Sequence, residues 1–171
     1  MNKFTKKLIN YLFKNSEHKY SLLLLEKVFM FGIPFNKPHA IKFFELTEYH
    51  CQMLMKKKRA NLNHLGSIHA CAIATVGEFS AGILLCKSFD ISLYRLIMKK
   101  IEVEYFSQAR LDITSKSTIS LGDIDALKLL VQKESSAEIK LKTNISDISG
   151  KSIACVETLW QVKNWSKVRY S

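Results

Sequence analysis

Within "NLNHLGSIHACAIATVGEFSAGILLC", residues 61–86, four polar side chains stand out from an apolar background rich in Ala and Gly: Asn63, His64, His69 and Glu78. Glu78 is the sole carboxylate of the stretch. An ionised carboxylate without a partner in a low-dielectric interior is strongly disfavoured, so its pKa rises or it finds compensation. Two readings of Glu78 stand side by side. It lies on the one exposed stripe of a buried helix, or caps neighbouring backbone, and does no chemistry; or it is a tuned general base in a pocket. Asn63 and His64 are equally compatible with ordinary loop structure, and His69 with a helix-start residue that bonds its own backbone.

That chemistry depends on where a helix begins. Small residues at Ala70, Ala74, Gly77 and Ala81 recur at intervals of three or four, which predicts a helix from near His69 to about Leu85 after a loop over 61–67. The first N–H groups of a helix have no partner within it, and the macrodipole is positive there, so the Ala70 N–H is a candidate donor to developing negative charge. The Asn63 side-chain amide is a second, giving the two-donor arrangement that an acyl-transfer oxyanion needs. Glu78 lies nine residues beyond His69, half a turn out of phase and about 13.5 Å along the axis. The two cannot serve one site within a single chain, so the catalytic reading implies a dimer.

The remaining elements are those that must hold this helix. The N-terminal part is basic, and its leucine run at 22–25 is broken by Glu26 and Lys27, far short of the ~20 residues needed to span a bilayer. It reads as one or two amphipathic helices over 4–30, able to contact a membrane surface. "GIPFNKP" at 32–38 ends that part. Residues 41–55 favour one long strand or a hairpin and end in the charge run Lys56, Lys57, Lys58, Arg59. Ile101, Val103 and Tyr105 alternate with Glu102 and Glu104, and the pattern resumes at Ala109, Leu111 and Ile113. Asp123 is placed to cap a short helix over 124–133. Residues 137–145 and 154–162 read as a hairpin around a turn at 147–151. Runs of strands with segregated helices give an α+β fold, a buried helix wrapped by an antiparallel sheet. The expected division is a helical extension over 1–31 and a domain over 32–171.

Composition narrows the partners. With 171 residues, 47% of them hydrophobic, the chain is large enough for one core, and a formal charge of +11 favours anionic partners. Cys51, Cys71, Cys86 and Cys155 form no C-x-x-C pair, which fits a reduced, cytoplasmic setting. The His spacing does not suit a metal site, and no cofactor is expected. Basic and aromatic residues do not interleave as a stacking platform, so nucleic acid is not an expected partner.

The run "NHLGSIHA" at 63–70, with an acid at the ninth position after His69, resembles the motif of the PaaI-type hotdog thioesterases. The wider run from "IPFNKPHAIKFF" to "GEFSAGILL" is similar to a domain-of-unknown-function branch of that superfamily, and the resemblance extends over roughly 32–163. It implies a hotdog fold, a curved antiparallel sheet around a long central helix, paired into dimers or dimers of dimers with acyl-CoA sites at the interface. Asn63 would then orient the thioester or its water, and the Ala70 N–H would bond the thioester oxygen. His69 would shape the turn, and Glu78 of the partner subunit would activate water or attack directly. His64, Gly66 and Cys71 would lie along the substrate, and Lys56, Lys57, Lys58 and Arg59 would meet the phosphates of coenzyme A, as could Lys99, Lys100 or Arg110. Many relatives have Gly where this chain has Ala70 and Cys71, and Asp where it has Glu78. The expected activity is therefore acyl-CoA thioester hydrolysis, with a non-catalytic acyl-CoA or fatty-acyl sensor as the alternative. Hydratase chemistry is disfavoured because no His-Phe-Pro-Gly loop is present.

Overall fold

The structure is a computed structural model that describes residues 3–168. Two helices, α1 (Lys3–Lys14) and α2 (Lys19–Gly32), lead through a 3-10 turn at Pro34–His39 into β1 (Lys42–Leu46) and β2 (His50–Met55). The central helix α3 (Ala70–Ser88) follows, then β3 (Tyr94–Tyr105), β4 (Ile113–Thr118), α4 (Leu121–Glu134), β5 (Ser136–Asp147) and β6 (Ser152–Asn164). The six strands form one curved antiparallel sheet in the order β1-β2-β4-β5-β6-β3, so the long strand β3 is an edge.

Helix α3 packs against five of the six strands and fills the concave face. By length and composition it could cross a membrane, but most of it is buried inside the protein, as expected of a core helix. Its glycines are explained by contact. A Cβ on Gly77 would sit 2.5 Å from a methyl of Val156, and one on Gly82 would sit 2.9 Å from the Trp160 ring. The helix therefore lies against β6 more closely than any side chain there would allow. Polar groups in this contact are satisfied across it. Ser80 Oγ bonds Ser115 Oγ and donates to the Val76 carbonyl at 2.9 Å, while Thr143 Oγ1 donates to the Gly77 carbonyl at 3.1 Å and pairs with Ser117 Oγ. All four of these side chains are fully buried, and such groups stay in a core only when hydrogen-bonded.

The N-terminal helices join the same core. Ile9, Leu12 and Phe13 of α1 and Leu25 of α2 are buried, and Phe13, Phe29, Phe43 and Phe79 form a ring cluster linking both helices to β1 and α3. Ser16 Oγ donates to the Leu46 carbonyl, Lys87 Nζ to the Phe13 carbonyl, and Phe43 N–H to the Glu26 carboxylate.

Of the two alternatives for the 41–55 region, the structure has the hairpin. Several other boundaries differ from those expected. Helix α3 runs to Ser88, one turn beyond Leu85. Strand β3 begins at Tyr94, seven residues before the visible alternation, because a β-bulge between Met98 and Lys100 shifts the register and destroys the period of two. Ala109 and Leu111 are not in a strand; Ala109 is buried in a loop, where its carbonyl accepts the Ile68 N–H. Helix α4 starts at Leu121, and its cap is Ser120, whose Oγ accepts from Asp123 N–H at 3.0 Å and donates to the Asp123 carboxylate at 2.6 Å. Asp123 is thus the third residue of the helix, completing a reciprocal cap.

Candidate active site

The loop 62–69 is built by Asn63. Its side-chain oxygen accepts from Leu65 N–H (2.9 Å) and Ser67 N–H (3.2 Å), and its side-chain nitrogen donates to Ser67 Oγ (2.9 Å). Asn63 N–H closes the loop on the Ser67 carbonyl at 2.9 Å, and Gly66 takes the left-handed backbone (φ 72°) that this tight turn requires. A neighbouring asparagine, Asn61, fixes the loop from below: it is buried, donates to the His39 and Lys56 carbonyls, and bonds His39 Nδ1. Its carbonyl accepts the His69 N–H at 2.7 Å.

His69 is the N-cap of α3. Its Nδ1 accepts from Cys71 N–H at 3.0 Å, the role that Ser or Asp usually fills. This satisfies one of the free N–H groups of the first turn and leaves that of Ala70 without a partner among the described residues. The Ala70 carbonyl accepts from the Tyr105 hydroxyl at 2.9 Å, so the end of β3 is fastened to the start of α3.

These pieces surround a cleft of about 350 Å3, lined by Asn63, Ser67, Ile68, Ala70, Ile73 and the segment Tyr105–Ala109. The volume suits a small-molecule site. Gln108 is oriented there by Arg110, whose guanidinium donates twice to the Gln108 side-chain oxygen (2.9 and 3.1 Å), leaving the amide nitrogen as a donor. Tyr105 and Gln108 were not foreseen as site residues. Tyr105 lies 35 residues from its hydrogen-bond partner in sequence, and only the fold brings the end of an edge strand over a helix start.

Of the residues singled out from the sequence, Asn63 and Ala70 line the cleft. His69 caps the helix beside it, and Gly66 shapes the turn. His64 and Cys71 are exposed and do not line it. Lys56, Lys57, Lys58 and Arg59 follow β2 as a mostly exposed run; Lys57 N–H is held by the Asp112 carboxylate at 2.8 Å, which places the run beside the loop containing Ala109 and Arg110.

Glu78 is not brought to the cleft of its own chain. It lies half-buried on the one stripe of α3 that the sheet leaves partly open, between Cys71, Ala74 and Thr75 toward the helix start and Gly82 and Cys86 toward its end. Among the described residues it has no hydrogen bond or ion pair, and burial pushes its pKa up to about 7. The Cys86 thiol two turns along is pushed up to about 12, first by its own burial and then by the Glu78 charge. Beside the stripe runs β3. Ile101 and Val103 pair with Thr158 and Val156, residues buried against α3, so they share the inner face, yet Ile101 and Tyr105 remain exposed.

The architecture has known counterparts. Residues 23–162 match the family model described as Domain of unknown function (DUF4442). Among solved structures, a Pseudomonas aeruginosa protein of unknown function, described as a probable thioesterase, superposes with a TM-score of 0.76 at 24% identity, over 83% of this chain and 95% of that one. A Haemophilus influenzae thioesterase gives a TM-score of 0.71 at 12% identity, over 90% and 98%. A Chlorobaculum tepidum protein of unknown function gives 0.75 at 9% identity, over 87% and 98%. No curated protein matches the sequence. The sheet around a central helix is therefore the hotdog fold.

Proposed function

Because the chain belongs to the DUF4442 family of hotdog-fold domains, we propose that it hydrolyses the thioester of an acyl-coenzyme A, in a homodimer whose sites each combine the cleft of one subunit with Glu78 of the other. The observation that carries this reading is the unpartnered Ala70 N–H at the positive end of α3, opening on a cleft of substrate size. The thioester oxygen sits on that N–H, with the free hydrogen of the Asn63 amide nitrogen as the second donor. Glu78 of the partner subunit takes a proton from water, and the oxygen of that water bonds to the thioester carbon. The negative charge moves to the carbonyl oxygen and is held by the two donors. Collapse breaks the carbon–sulfur bond, and the leaving thiolate takes the proton back from Glu78. A carboxylate with a pKa of about 7 is matched to this exchange at neutral pH.

The dimer is supported by what the single chain leaves open. Strand β3 is an edge of the sheet with Ile97, Ile101 and Tyr105 exposed, and a long edge strand is a template for pairing with another chain. The partly open stripe of α3 lies beside it and is made of small residues around Glu78. The substrate phosphates are assigned to the Lys56–Arg59 run, which borders the cleft-lining loop.

A second reading, an acyl-CoA binding module without turnover, is favoured by one observation. The Asn63 carboxamide is largely engaged in its own loop and the Cys71 N–H is taken by His69, so fewer donors are free than at an open helix start. One experiment separates the two. A panel of acyl-CoAs is incubated with the protein while thiol release and binding are followed together. Release that falls at least about 100-fold in Glu78→Gln supports the enzyme. Binding with no release over hours supports the module, and release unchanged in Glu78→Gln rejects the assigned mechanism.

A further inference from the structure

We infer that the outward faces of α1 and α2 form a docking surface for an anionic lipid bilayer. The inference is independent of the thioester chemistry. Each helix buries one side on the core, α1 through Ile9, Leu12 and Phe13 and α2 through Leu25, Leu22 and Phe29. Ordinarily the opposite side of such a helix is polar. Here it is not. On α1 the exposed positions include Phe4 (76% exposed), Leu8 and Tyr11 (62%), which recur at four and three and so form one stripe. On α2 they include Tyr20 (86%), Leu23, Leu24 and Phe31 (88%), again one stripe. Phe35, in the turn that follows, is also largely exposed.

The charges interleaved with these side chains are almost all positive. Lys7 and Lys14 are exposed on α1, Lys19 and Lys27 on α2, and Lys37 just beyond. The first 32 residues contain six lysines and two acids. One of those acids, Glu26, is turned away from the surface, because its carboxylate accepts the Phe43 N–H of β1 at 3.0 Å; the other, Glu17, lies in the connection between the helices. Asp90, beyond the end of α3, is engaged with Asn10 and Ser92 and lies near Lys14. Aromatic rings at headgroup depth with lysines around them are the composition of a helix lying in a bilayer interface, and the lysine excess selects anionic lipid. A protein partner would be met by a surface with mixed charges, and this one offers nearly a single sign.

The test is co-sedimentation of the full chain with vesicles of phosphatidylcholine alone and of phosphatidylcholine mixed with phosphatidylglycerol, at low and high salt. The expected result is binding to the mixed vesicles that weakens with salt. Two variants, Lys7→Gln with Lys14→Gln and Phe4→Ser with Phe31→Ser, should each lower partitioning by on the order of tenfold, with an unchanged melting temperature because all four side chains are exposed. Equal binding to both vesicle types overturns the inference, as does partitioning unchanged in both variants. Self-association that Phe4→Ser with Phe31→Ser abolishes, without vesicle binding, would assign the face to a second copy and equally overturn it.

Discussion

The Tyr105 hydroxyl donates to the Ala70 carbonyl at 2.9 Å, joining the last residue of the edge strand to the first residue of the central helix. The contact sets the width of the cleft mouth, since Tyr105 and Ala70 both line it. Tyr105→Phe should lower stability by only about 0.5–1.5 kcal/mol, because the freed carbonyl still has its helical partner. The kinetic effect should be larger in KM than in kcat, since the hydroxyl holds the wall and does not touch the reacting atoms. Denaturant melts and steady-state kinetics on the purified variant provide both numbers.

Glu78 carries a pH signature of its own. Its folded-state pKa is about 7 against an ordinary value of 4.5, with burial as the cause. A carboxyl whose pKa rises on folding binds its proton more tightly when folded. The stability it contributes is therefore complete below about pH 4.5 and is lost as pH rises through about 7. Glu78→Gln keeps the neutral form at every pH, so it should match the wild type near pH 4 and exceed its stability by about 1–3 kcal/mol near pH 8. Urea melts across this range test the sign. On the proposed mechanism kcat/KM should climb to a plateau above about pH 7, because the base must be ionised.

Capping by His69 is separable from chemistry. His69→Ala removes the acceptor for Cys71 N–H and should lower stability by about 1 kcal/mol, whereas His69→Asn, another good cap, should recover most of it. Because the same backbone carries the Ala70 N–H, the Ala variant should also lose turnover and the Asn variant regain it. Loss of turnover in both at full stability would instead give the imidazole a direct part.

Gly77→Ala places a methyl 2.5 Å from Val156. Overpacking of this kind costs about 1–3 kcal/mol, more than the roughly 1 kcal/mol gained in helix propensity. The net loss should shrink when Val156→Ala is added, a coupling that a double-mutant cycle reads directly.

Legibility from sequence followed the physics of each element. The start of α3 was visible because small residues at helical spacing begin at Ala70, and the hairpin β5–β6 because both strands flank an evident turn. The first half of β3 was hidden by its bulge, and the end of α3 by Lys87 and Ser88, whose polarity resembles a loop. Ser88 stays helical because its hydroxyl donates to the Leu84 carbonyl and its side is buried. Asn63 and Glu78 stood out because their types are unusual in an apolar run, and Ala70 because its N–H opens the helix. Tyr105 and Gln108 lie on ordinary alternating or polar sequence, and Asn61, the buried latch beneath the loop, looked no different from its neighbours.

The hydrogen bonds that buried hydroxyls make between α3 and the sheet have one more consequence. Ser80 with Ser115, and Gly77 with Thr143, fall in the middle of α3 and tie it to β4 and β5 at fixed heights. A hydrophobic contact tolerates sliding, but a donor opposite its acceptor does not, so these pairs work as detents against axial travel. The N–H at Ala70 is therefore indexed from as far as ten residues away, and a change as small as Thr143→Val, outside the cleft lining, should register as a misplaced helix tip.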